Sequence, residues 1–426
     1  MTARRLASRV TERVQKEGAF LAQALDRELS ESGFELRDRA LSTELSYGVI
    51  RTEAYLRERL RPFIGSKKTD ERVMRELCLA VYQLDFLPRI PQSAAVNEAV
   101  NAVRRVQGPR VGGFVNAVLR RLAAAGPGLP LREAAFTSLP GWLRTRLEEA
   151  VGPDSARDLV DPGAGRGLTV RVVRGAELSE PLRAELEPVA TCEGAFRFLG
   201  RGDPRAREEY GKGAFVVQEL GSQLIAHLLE ATPGARVLDV CAGRGNKTLL
   251  LGELVGPSGS VVATDLHRSK LAVLERESRR LSGARAPVST EVWDATTPLP
   301  EPLVASFDFV LVDAPCSGVG TLRHRPEIAR RLGPEDPARL GALQAAILKE
   351  AAAALKPGGQ LLFSTCSVLP EEGEKVLESV SEGLTLARNL GEMWKRTSGE
   401  ASFSRILPGT HGTDGYFVAR LERREM

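Results

Sequence analysis

Cysteine is scarce. The five in 426 residues, Cys78, Cys192, Cys241, Cys316 and Cys366, include no Cys-x-x-Cys pair. That argues against a disulfide framework and against zinc-ligand spacing, so no metal is expected and a reducing cytoplasm is the expected compartment. Long apolar runs are missing too: nothing approaches the roughly 18 apolar residues of a membrane-spanning helix. The opening Met1-Thr-Ala-Arg-Arg-Leu-Ala-Ser-Arg-Val10 lacks the apolar stretch of a secretory signal. Internal repeats and low-complexity tracts are absent. The composition, 42% hydrophobic and 27% charged, is that of an ordinary soluble protein, and the length implies about three domains.

Acidic residues are under-represented in the first third. Residues 1–130 hold 22 Lys+Arg against 15 Asp+Glu, a balance of +7 within a net charge of +4. A basic N-terminal third on a near-neutral body points to a polyanionic partner.

Residues 1–125 lack any alternating strand pattern and read as helices. Val73, Leu77, Val81 and Leu84 recur at helical spacing, as do Val96, Val100 and Val103, then Val111, Phe114, Val118 and Leu122. Gly65-Ser-Lys-Lys, Pro88-Arg-Ile-Pro and Gln107-Gly-Pro break the run. The expectation is an all-α bundle. The Gly/Pro-rich segment 123–130 is the expected boundary. Residues 131–215 are expected to form a small α+β adaptor, with a helix over 142–151 and a strand over 168–173. From 216 to 426 strands and helices alternate, and strands are expected at 236–241, 260–265, 290–293, 307–312, 360–364 and 415–421. Such repetition predicts a largely parallel, doubly wound Rossmann-like sheet.

The chemistry gathers at the carboxyl ends of these strands, where ligands bind in open α/β sheets. Phe309-Val-Leu-Val312 is an apolar run followed at once by Asp313-Ala-Pro-Cys316-Ser-Gly-Val-Gly320. A second thiol, Cys366, follows the apolar run Gln360-Leu-Leu-Phe. Buried cysteines often only pack, but two thiols at matching strand ends favour chemistry. The first strand-turn-helix, Asp239-Val-Cys-Ala-Gly-Arg-Gly-Asn-Lys-Thr248, offers small residues and a helix N-terminus. Asp265, at the next strand end and 20 residues beyond Gly245, suits a ribose hydroxyl pair. The pattern indicates a nucleoside-containing cofactor. Thr248 stands where a nicotinamide site prefers glycine, and Asn246 where a Walker loop needs one. Acids at the successive strand ends, Asp265, Asp294 and Asp313, favour S-adenosylmethionine.

These segments, together with Ser364-Thr-Cys-Ser367, Glu371 and Glu374, resemble the RNA cytosine-C5 methyltransferases of the Nop2/Sun family. Val217-Gln-Glu-Leu-Gly-Ser-Gln223 and Asp414-Gly-Tyr-Phe-Val-Ala-Arg-Leu421 resemble its flanking motifs. Arg37-Asp-Arg-Ala, Tyr47-Gly-Val-Ile-Arg, Ala80-Val-Tyr-Gln-Leu, Ala95-Val-Asn-Glu-Ala and Gly113-Phe-Val-Asn-Ala-Val-Leu-Arg-Arg121 resemble a NusB-like RNA-binding domain. The combination is similar to the bacterial Sun/RsmB branch, which acts on small-subunit (16S) ribosomal RNA. The resemblance implies that Cys366 attacks carbon 6 of cytosine, that Cys316 assists product release, and that Asp313 binds the cytosine edge near the cofactor. It implies a cofactor loop of Cys241, Ala242, Gly243, Arg244, Gly245, Asn246 and Lys247, with Asp265, Asp294 and Asp313 completing the site. Lys247 is a candidate source of positive field for the thiolate. The family loop usually reads Cys-Ala-Ala-Pro-Gly-Gly-Lys-Thr. Here glycine stands at 243, the proline is lost, and Asn246 replaces a glycine, a residue that tolerates positive φ should the loop demand it.

The Cys241, Cys78 and Cys192 thiols are expected to be packing groups. Arg323, His324 and Arg325 suit RNA phosphates or a solvated run equally. Arg104, Arg105, Arg120 and Arg121 share that ambiguity, and the basic balance favours RNA. The expected partner is small-subunit RNA, unassembled or immature, met by a monomer without a membrane. The alternatives are a tRNA cytosine-C5 methyltransferase, a catalytically silent RNA-binding assembly factor, and a DNA cytosine methyltransferase using the cysteine of the Pro-Cys loop.

Overall fold

The computed structural model describes residues 1–65, 69–164, 167–379, 384–387, 390 and 402–423. By internal packing the chain forms two units: unit 1 is residues 1–162 with 322–332, and unit 2 is residues 163–321 with 333–426. This division differs from the expected one. The segment 123–130 lies inside unit 1, where the Leu129 amide donates to the Tyr55 hydroxyl at 2.8 Å. The stretch expected as an adaptor is shared between the units.

Unit 1 is helical: α1 (Ala3–Glu17), α2 (Leu21–Ser30), α3 (Leu36–Ile64), α4 (Glu71–Phe86), α5 (Gln92–Gln107), α6 (Pro109–Ala124), α7 (Leu131–Thr137), α8 (Gly141–Val151) and α9 (Pro153–Asp158). Side-chain caps begin two of them: Thr2 accepts from the Arg5 amide, and Asp70 from the amides of Arg72 and Val73. Of the expected break at 65–68, residues 66–68 lie outside the described ones. The stripes Val73, Leu77, Val81 and Val96, Val103, Val118, Leu122 are buried in one core. Phe114 departs from its expected place. It is exposed, while Val115 and Leu119 face inward, because the buried face centres on 115, 118, 119 and 122. Residues 322–332 pack within this unit. Arg51 donates to the Arg323 carbonyl at 2.7 Å, the Leu21 amide donates to Glu327 at 3.3 Å, and Arg330 pairs with Glu53. The Arg323 side chain is buried in consequence, whereas His324 and Arg325 are exposed.

Unit 2 begins with β1 (Thr169–Val172), α10 (Glu180–Ala184), β2 (Leu186–Pro188), β3 (Ala195–Phe198), α11 (Glu208–Gly211) and β4 (Phe215–Val217). The strands form an antiparallel sheet in the order β2-β3-β1-β4. Then come α12 (Leu220–Leu228), β5 (Arg236–Asp239), α13 (Asn246–Val255), β6 (Ser260–Asp265), α14 (Arg268–Arg280), β7 (Val288–Val292), β8 (Phe307–Asp313), α15 (Asp336–Ala352), β9 (Leu355–Thr365), α16 (Glu374–Glu378), β10 (Leu384–Leu386), β11 (Phe403–Ile406) and β12 (Tyr416–Arg423). The main sheet runs β10-β12-β9-β8-β5-β6-β7, and β11 also pairs with β12. Strands β9, β8, β5, β6 and β7 are mutually parallel, and β12 joins antiparallel to β9. Val310 and Val312 enter one core while Leu311 enters the core on the opposite face. Burial on both faces explains the unbroken apolar run of β8. After β5 the chain winds outward through β6 and β7, then returns to β8 on β5's other side. The carboxyl ends of β5 and β8 therefore flank a topological switch point, where such sheets bind ligands. Among the described residues, no helix is long and apolar enough to cross a membrane.

Candidate active site

The turn from β5 to α13 is built for close backbone approach. Gly243 and Gly245 have φ of 58° and 89°, in the left-handed region. A Cβ on Gly245 would lie 2.1 Å from Leu274 Cδ1, so glycine is required there on both counts. Asn246 opens α13 and is not among the positive-φ residues, so the conformational demand considered for it falls on Gly245 instead. Asp265 ends β6 and secures the turn: one oxygen accepts from the Gly243 amide at 3.0 Å, the other from the His267 amide at 2.8 Å. Lys270 lies 3.3 Å from the same carboxylate. Arg244 is exposed. Asp294 is exposed as well, and hydrogen bonds from the Thr296 hydroxyl and amide hold its pKa below the usual value.

Deeper in the switch point, Asp239 is fully buried. Thr248 donates to one oxygen at 2.6 Å, and the other has no hydrogen-bond partner among the described residues. Burial pushes its pKa up to about 7. Lys247, on the first turn of α13, pairs with Asp313 at 2.6 Å. Burial pulls the lysine's pKa down, but Asp313, together with Asp239 and Cys366, outweighs this and the net shift is upward. The other Asp313 oxygen accepts from the Ser364 hydroxyl at 2.9 Å, across the pairing of β8 with β9.

The two strand-end thiols meet: Cys316 Sγ and Cys366 Sγ are 3.1 Å apart. Cys316 is held well above the usual thiol pKa by its hydrogen bond with Cys366, then by burial and the nearby carboxylates of Glu372 and Asp313. Lys247 interacts electrostatically with Cys366. The loop after Cys316 is braced by the flanking motifs. The Gly320 amide donates to the Cys366 carbonyl at 3.0 Å, and the Gly415 amide to the Gly320 carbonyl at 2.8 Å. Glu219 accepts from the Asp414 amide at 2.9 Å and the Tyr416 hydroxyl at 2.8 Å.

Cys316, Cys366, Asp313 and Lys247 thus form one cluster, and Gly243, Gly245 and Asp265 a neighbouring cradle, while Asp294 and Arg244 stand on exposed positions. Cys241 packs against the main core, and burial raises its thiol pKa, as it does for Cys78 and Cys192. Sequence reasoning passed over Glu372, whose fully buried carboxylate accepts from the Ser317 amide at 2.7 Å and from Gln344 at 3.2 Å. It stands among Glu371 and Glu374, and composition does not set it apart. Among the described residues, no group of three or more His, Cys, Asp or Glu could hold a metal.

A glycine-bearing turn tied to an acid at the next strand end fits a nucleoside-bearing methyl donor. Comparison with known proteins agrees. The family model for the 16S rRNA methyltransferase RsmB/F matches residues 226–422, and the NusB family model residues 1–124. The ribosomal RNA small subunit methyltransferase B of Thermus thermophilus is 34% identical over 407 residues, spanning 94% of this chain and 92% of that protein. The Vibrio cholerae protein of the same name is 32% identical, covering 91% and 90%. The Bacillus subtilis protein, a probable ribosomal RNA small subunit methyltransferase B, is 31% identical, covering 91% of each. The crystal structure of PH0851 superposes with a TM-score of 0.77 at 23% identity, covering 99% of both chains. NSun6 from Pyrococcus horikoshii, solved with SFG, gives 0.57 at 19% identity over 67% of this chain and 99% of that one. These two establish a shared fold. The cofactor is S-adenosylmethionine. On sequence identity across nearly its whole length, the chain belongs to the ribosomal RNA small subunit methyltransferase B family.

Proposed function

We propose that this protein methylates carbon 5 of a cytosine in small-subunit ribosomal RNA through a covalent adduct between Cys366 and carbon 6. The observation that carries the reading is the pair of strand-end thiols 3.1 Å apart beside the Lys247–Asp313 ion pair. Carbon 5 of cytosine is a poor nucleophile. Addition of the Cys366 thiolate to carbon 6 makes the ring enamine-like, so that carbon 5 can take a methyl group. S-adenosylmethionine supplies that methyl in electrophilic form. Asp313 binds the cytosine edge, and Lys247 provides the positive field that favours the thiolate. The carbon 5 proton then leaves to solvent, its bonding pair restores the ring double bond, and the sulfur–carbon bond breaks toward Cys366. Cys316, kept a thiol by its surroundings, donates a hydrogen bond to the departing sulfur. Gly243, Gly245, Asp265 and the rest of the 241–247 turn hold the methyl donor, with Asp294 at the rim.

The target base must leave its stack to reach Cys366, which favours a loop or unassembled RNA. Exposed Arg104, Arg105, Arg120 and Arg121 on α5 and α6 are suited to its phosphates. The reading is of a monomer working in the cytoplasm on immature subunit RNA. The test is methyl transfer from labelled S-adenosylmethionine to unmodified small-subunit RNA and to tRNA, by wild type, Cys366→Ala and Cys316→Ala. Transfer to the ribosomal RNA, abolished in Cys366→Ala, with an adduct trapped by Cys316→Ala, is expected. An adduct trapped by Cys366→Ala would reverse the thiol roles. Absence of transfer by every variant despite RNA binding would leave a silent assembly factor.

A further inference from the structure

Cys316 is gripped from both sides by two buried polar residues that the chemistry above does not use. On its N-terminal side the Pro315 carbonyl accepts from Gln344 Nε2 at 2.9 Å. On its C-terminal side the Ser317 amide donates to Glu372 Oε1 at 2.7 Å, and the Ser317 hydroxyl to Glu372 Oε2. The two grips are joined, since Gln344 Nε2 also reaches Glu372 Oε1 at 3.2 Å. Both residues have no exposed surface. Glu372 also receives a hydrogen bond from Ser367, next to Cys366, and its own carbonyl accepts from Thr365 at 3.1 Å. The carboxylate therefore binds the residue after each thiol, Ser317 and Ser367, while the Glu372 backbone holds Thr365 on the other side of Cys366. Gly341 makes the grip possible: α15 passes so close to the 370–372 turn that a Cβ there would lie 2.1 Å from the Glu371 carbonyl oxygen.

A charged acceptor with no exposed surface is costly unless fully satisfied. Donors from Ser317, Gln344 and Ser367 satisfy this one, and both oxygens are used. Stability alone would be served as well by an apolar contact. What an apolar contact cannot do is fix two thiols on separate strand ends in register, because it lacks direction.

We propose that Glu372, clasped by Gln344, is a positioning residue that sets Cys316 against Cys366 for the release step. The inference rests on the covalent reading above. Displacement of a reacting group by about 1 Å costs on the order of 10²-fold in rate. Loosening the clasp should slow release while leaving Cys366 free to attack.

The experiment incubates wild type, Cys316→Ala, Glu372→Ala, Glu372→Gln and Gln344→Leu with labelled S-adenosylmethionine and substrate RNA. It reads turnover, and protein–RNA adduct on a denaturing gel, with a thermal melt for each variant. Glu372→Ala and Gln344→Leu should turn over ten- to a hundredfold more slowly and accumulate adduct at a level between wild type and Cys316→Ala. Glu372→Gln should recover part of the turnover, because Gln344 Oε1, which has no partner among the described residues, can accept from the new amide. If Glu372→Ala does not fold, Gln344→Leu decides. The inference is overturned if folded variants lose adduct and turnover in parallel, or match wild type while Cys316→Ala traps adduct. Failure of Cys316→Ala itself to trap adduct would remove the covalent reading, and this inference with it.

Discussion

Asp239→Asn should stabilise the sheet of unit 2 increasingly as pH rises. Asp239 is fully buried at the end of β5, its pKa is pushed up to about 7 by burial, and an unperturbed aspartate titrates at 3.8. Between those values the folded state holds a proton that the unfolded state has lost. Stability from this group is therefore fully present below about pH 4 and is lost as pH climbs through about 7. The total is about 4 kcal/mol at about 1.4 kcal/mol per pH unit, of which about 3 kcal/mol falls between about pH 5 and pH 8. Asparagine can accept the same hydrogen bond from Thr248 and carries no charge at any of these pH values. Its amide placed where the partnerless oxygen now sits adds a cost independent of pH, so the slope is the test. The assay is native-state hydrogen exchange of the β5 and β8 peptides, corrected for the intrinsic pH dependence of exchange. Relative protection of the variant should grow about a hundredfold over that range. Parallel pH dependence in the two proteins would refute a neutral Asp239.

Gly245→Ala combines a left-handed backbone with a Cβ 2.1 Å from Leu274, and should cost about 3 kcal/mol while weakening S-adenosylmethionine binding by calorimetry; an unchanged melt and affinity would contradict the close approach. Lys247→Met leaves Asp313 without its cation. Because Asp313 keeps 29% of its side-chain surface exposed, the cost should be about 2 kcal/mol, below that of a fully buried pair, and adduct formation should slow; wild-type adduct kinetics would remove Lys247 from the thiolate's activation. Replacing Arg104, Arg105, Arg120 and Arg121 together by alanine should make the logarithmic salt dependence of RNA binding shallower by up to about 3, and an unchanged slope would place the RNA elsewhere.

Much of this was legible because burial writes itself into sequence. Strand β8 reads as a strand since residues on both its faces are packed, and α4 reads as a helix by the spacing of Val73, Leu77 and Val81, although residues 77–83 are buried on every side. Sequence said less where a local rule met a distant partner. Segment 123–130 has a linker's composition, yet Arg59 and Tyr55 of α3 bind its carbonyl and amide groups and hold it in unit 1. Arg323 looks like one member of a solvated basic run, but packing of 322–332 within unit 1 buries its side chain. Phe114 fits a periodic stripe one position off the true face. Glu372 was indistinguishable from its acidic neighbours because what selects it is a hydrogen bond to Ser317, 55 residues away.

The two thiols show how much of a site's chemistry lies in such distant pairings. Sequence offers Cys316 and Cys366 as equals, each just past an apolar strand. Their surroundings are unequal. Cys316 shares a hydrogen bond with Cys366, is buried, and lies near the Glu372 and Asp313 carboxylates, all opposing its ionisation. Cys366 has Lys247 as an electrostatic neighbour. The surroundings of Cys316 thus keep its proton in place, as a thiol that donates to a departing sulfur requires. On the reading proposed above, the strand end that faces the lysine carries the nucleophile and the one that faces the buried glutamate carries the release thiol. Family likeness assigns the same roles, but the electrostatics supply a reason that does not depend on it.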